Sequence, residues 1–170
     1  MANSIPSSED LRRLTLRALA AYAAKCARLS AEALRGEISD KVIEAPIDIA
    51  ERFASVAEIN RVDAVTICYA AAGVSNAMST LASEKYKAAL CLVALERVVS
   101  GVHEAARSGL PPSKWVQTQY DRAIEGTMKI AQWVLQYSKS NHDTIRHQYE
   151  MLLREYGAHE QITLGTTVVL

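Results

Sequence analysis

Apolar residues recur at intervals of three and four along almost the whole chain, a spacing that puts them on one face of successive α-helices, where a strand would need strict alternation. Leu11, Leu14, Ala18, Tyr22, Cys26, Leu29 and Ala33 form the first stripe, and Ile47, Ala50, Ala54 and Ala57 the second. Tyr86, Leu90, Val93, Ala94 and Val98 continue it, followed by Val116, Tyr120, Ala123, Ile124, Ala131 and Leu135, and by Ile145, Tyr149, Leu152 and Tyr156. The pattern predicts an all-α, single-domain bundle of five to six helices over residues 8–157, with a lead at 1–7 and a short extended tail at 158–170. The tail is set apart by its switch to the β-branched run TLGTTVVL. At 170 residues the chain can bury about 70% of its unfolded surface in one core without disulfides or metal.

Boundary residues divide the pattern. Ser7 and Asp10 form a capping-box pair that opens a first helix running to Gly36. After a turn through Gly36, Glu37, Ile38 and Ser39, Pro46 is expected in the first turn of the second helix, where proline loses no hydrogen bond. Asn60 with Asp63 is the next cap, opening a small-residue helix through Ala70, Ala71, Ala72 and Gly73 that is expected to sit at the centre. Ser83 opens a fourth helix that stops near Gly109, before Pro111 and Pro112. A fifth runs from about Ser113 to Ser138, and Asn141 caps a sixth that ends at Gly157.

Nineteen basic residues balance nineteen acidic ones, so no global field draws the chain to nucleic acid or to an anionic membrane. The stretch from Ala64 to Ser83 carries no charge, but Thr66, Ser75, Asn76, Ser79 and Thr80 dilute it and no aromatic belt flanks it, so a buried helix is expected, not a membrane span. Cys26, Cys68 and Cys91 form no CxxC pair and sit among apolar neighbours, which points to reduced, buried thiols. With charge arriving soon after Ile5 and Pro6 and no apolar signal core, a cytoplasmic location is expected.

Neither ExxH nor HExxH occurs among His103, His142, His147 and His159, so no metal or cofactor is expected. His103 with the dipeptide His142–Asp143 resembles the ligand order of helical metal-dependent phosphohydrolases, but no later aspartate closes the set and Glu150 or Glu155 would have to substitute. The pairs Glu37 with Asp40 and Asp48 with Glu51 have a magnesium-compatible spacing without a matching pair on a later helix. No phosphate-binding glycine loop is present.

Two charged faces remain. Arg12, Arg13, Arg17, Lys25, Arg28 and Arg35 make the first helix basic and are expected to be solvated. Glu44, Asp48, Glu51 and Glu58 lie beside the second core stripe as an acidic ridge, a candidate contact for a partner with a basic surface. The segments AAYAAKCARL, EALRGEIS, IAERFASVAE and AVTICYAAAGVSNAMSTLA, within residues 20–107, together resemble the mostly helical immunity proteins of bacterial polymorphic toxin systems. That resemblance implies a cytoplasmic, non-enzymatic protein that neutralises a toxin domain by binding it. The alternatives are a small metal-dependent hydrolase built on His103, His142 and Asp143, or a structural homo-oligomer.

Overall fold

The computed structural model describes residues 5–56, 72–76, 78–81, 83–108, 113–137, 141–157 and 162–170. It is an all-α helical bundle, without a strand among the described residues. We number the helices α1 (Ser8–Leu11), α2 (Leu16–Ala31), α3 (Asp40–Ser55), α4 (Ser83–Arg107), α5 (Lys114–Tyr137) and α6 (His142–Tyr156). Single 3₁₀ turns lie at Glu32–Leu34 and Met78–Thr80, and residues 72–76 are helical. The expected cap at Asn60 and Asp63, Ala57, Cys68, Gly109, Pro111 and Pro112 lie outside the described residues.

The capping box at Ser7 forms as read: the Asp10 backbone N–H donates to Ser7 Oγ and the Asp10 carboxylate accepts from the Ser7 backbone. The helix it opens is nevertheless only one turn long. Thr15 adopts extended backbone and its Oγ1 accepts from the Ala18 N–H at 3.2 Å, which starts a second helix instead of continuing the first. The next two N–H groups, of Leu16 and Arg17, donate to the carbonyls of Thr163 and Leu164 at 2.9 and 3.1 Å. The C-terminal tail thus supplies acceptors that the interrupted helix lacks.

It is α2 that occupies the centre of the described bundle, touching α3, α4, α5 and α6. Its alanines are buried on every side, and their small side chains let four neighbours approach at once. Leu11, Leu16, Leu19 and Leu34 are fully buried, each contributing about 1.5–3 kcal/mol by removal from water. The expected solvated basic face is corrected here: Arg17 is buried, and Arg28 and Arg35 are half-buried.

In α3, Pro46 sits in the second turn, not the first, because the helix starts earlier than the sequence reading placed it. Proline cannot donate to the Val42 carbonyl, yet the position is held because Ile43, Pro46 and Ile47 all bury against the core. In α4 the expected stripe is met in part: Ala94 and Val98 are buried, but Tyr86 is exposed and Leu90 and Val93 are half-buried, while Leu92, Leu95, Val99 and Val102 complete the core. Both sets recur at helical spacing, and the set with more large side chains turns inward.

Helices α4 and α5 form a close hairpin through two glycines. A Cβ on Gly101 would stand 2.6 Å from the Gln119 carbonyl oxygen, and one on Gly126 would stand 2.9 Å from Val98 and 3.2 Å from the Ala94 carbonyl. Backbone therefore rests on backbone at the crossing. Asn141 precedes α6 without a side-chain cap bond, correcting the expected cap, and Gly157 ends that helix at φ 88° as read.

Candidate functional site

Two surface features carry enough chemistry to be candidate sites. The first is the acidic ridge. Glu44, Asp48 and Glu51 lie beside two arginines of their own chain, Arg28 and Arg35. Arg28 grips Glu51 with two bonds, Nε to Oε1 at 3.0 Å and Nη2 to Oε2 at 3.1 Å, and donates from Nη1 to Glu44 at 3.1 Å. Asp48 stands 3.8 Å from the same guanidinium. Arg35 donates from Nη2 to the other Glu44 oxygen and from Nη1 to Asp40 at 3.1 Å. Glu58 lies outside the described residues.

Glu44, bridged by two arginines, titrates below its ordinary value of 4.5, chiefly through the Arg35 hydrogen bond, with the Arg28 charge adding to it. Because its folded value is depressed, its stabilising share is complete above about pH 4.5 and is lost as pH falls through the lowered folded value. Glu51→Ala is expected to cost about 1–2 kcal/mol, since a bidentate, half-buried pair lies between exposed and buried magnitudes. Urea unfolding checks this as a lower midpoint with an unchanged slope. An unchanged midpoint would reduce the ridge to solvated charge.

The second feature is a groove of about 660 Å³ along α4 and α5. Leu90, Val93, Ala94, Gly126 and Trp133 supply its apolar lining, and Glu96, Arg97, Arg122, Glu125 and Lys129 its charge. Glu125 is met by Lys129 at 3.1 Å, and Glu96 accepts from Ser100 Oγ at 3.1 Å. Arg97 and Arg122 are exposed and have no hydrogen-bond or ion-pair partner among the described residues. Sequence reasoning missed this groove because it assigned Leu90 and Val93 to the core. Its only signal was the second apolar phase of α4.

The residues considered for catalysis are held elsewhere. His103 is buried with its ring 4.9 Å from that of Phe53. His142 places Nε2 at 3.4 Å from the Leu135 carbonyl, and Asp143 is exposed and paired with Arg146 at 2.9 Å. Glu37 pairs with Lys85 and Asp40 with Arg35. Among the described residues no three His, Cys, Asp or Glu side chains gather where they could hold a metal ion. Burial pushes the Cys26 and Cys91 thiols up to about 12, so neither is a thiolate at neutral pH.

No described helix is long and apolar enough to cross a membrane. Comparison with family models, with curated proteins and with solved structures found no match to this chain.

Proposed function

We propose that this chain is a non-enzymatic protein-binding domain that engages its partner through the α4–α5 groove. The observation that carries the reading is the groove itself: apolar side chains open to solvent beside two arginines, Arg97 and Arg122, that have no hydrogen-bond or ion-pair partner among the described residues. Such a combination offers a partner both dehydration of apolar surface and charge-assisted hydrogen bonds. The acidic ridge is not the principal contact in this reading, because Arg28 and Arg35 already engage Glu44 and Glu51. The nucleophile candidates support a non-enzymatic role, since both described thiols are buried and strongly protonated.

The reading is tested by placing a photo-crosslinking amino acid at Val93 or Trp133 and irradiating the full chain in its native cells. A discrete heterologous protein adduct is expected from both positions and not from the exposed Lys41 on α3. No groove-specific adduct, or an adduct of two copies of this chain, would overturn it. The immunity role implied by the sequence likeness is a special case. It requires that the crosslinked partner be toxic when expressed alone and harmless when this chain is co-expressed.

A further inference from the structure

We draw no further inference here: the strongest candidate, the groove along α4 and α5 in which the carboxylates of Glu96 and Glu125 stand beside Arg97 and Arg122, belongs to the site already described, and nothing in the structure shows what covers it.

Discussion

Replacing Arg17 by methionine is expected to lower stability by about 2–5 kcal/mol, the cost of leaving one buried and one partly buried carbonyl without donors. Arg17 Nη1 donates to the carbonyls of Phe53 and Val56, both at 2.6 Å, and the guanidinium stands 5.7 Å from the Phe53 ring centroid. It therefore closes the C-terminal end of α3, where the helix dipole is negative and its last acceptors lack helical donors. The side chain is 3% exposed, and burial lowers its pKa, although an arginine keeps its charge. Exchange of a buried charge for an apolar group of similar shape can be neutral when both charged partners are removed together. Here the acceptors are backbone and stay behind. At about 2–4 °C per kcal/mol for a chain of this size, the melting temperature should fall by roughly 10 °C. Arg17→Lys keeps the charge but loses the fork, and should fall between the two. A methionine variant within about 1 kcal/mol of the parent would mean that water reaches these carbonyls.

How much of this was legible in the sequence follows from the distance over which each feature is decided. The Ser7–Asp10 box and the glycine at Gly157 are decided within a few residues, and both formed as read. The break after Leu11 was not legible, because Thr15 alone is a weak signal and the acceptors that reinforce it come from Thr163 and Leu164. The phase of α4 was ambiguous for a different reason: Leu90 and Val93 obey the helical period as well as Leu92 and Leu95 do. Periodicity identifies a helix and leaves undecided which of two apolar faces meets the core. The ridge was legible as a line of carboxylates, but its pairing with Arg28, twenty-three residues before Glu51, depends on how α2 and α3 cross. Arg28 was accordingly read as solvated. The groove depends on both failures of local reasoning, since it requires the phase of α4 and the crossing of α5.

Deleting residues 162–170 is expected to cost about 4–6 kcal/mol, which is comparable to the whole stability of a marginal domain. The tail, expected to be extended, packs on the bundle: Val168 is 2% exposed and its N–H donates to the Ala54 carbonyl at 2.8 Å. Val169 accepts no such burial, but its N–H donates to the Tyr156 hydroxyl at 2.8 Å. At the other end the Thr163 and Leu164 carbonyls hold the first turn of α2. Truncation admits water to those backbone groups, so each lost bond counts for only about 1 kcal/mol, and the larger share comes from losing the buried Val168 and exposing the core surface it covers. A point variant separates loss of the tail from a general effect of shortening the chain. Gly165 has φ +80°, and a Cβ there would lie 2.4–2.7 Å from the Thr15 side chain, the residue that caps α2. Gly165→Val must therefore strain its own backbone or displace the cap, at about 2–4 kcal/mol. Denaturant melts of the two variants should show the same order, with the truncation the weaker protein. Full stability in the truncated chain would detach the tail from the bundle, and with it the reason that α2 starts where it does.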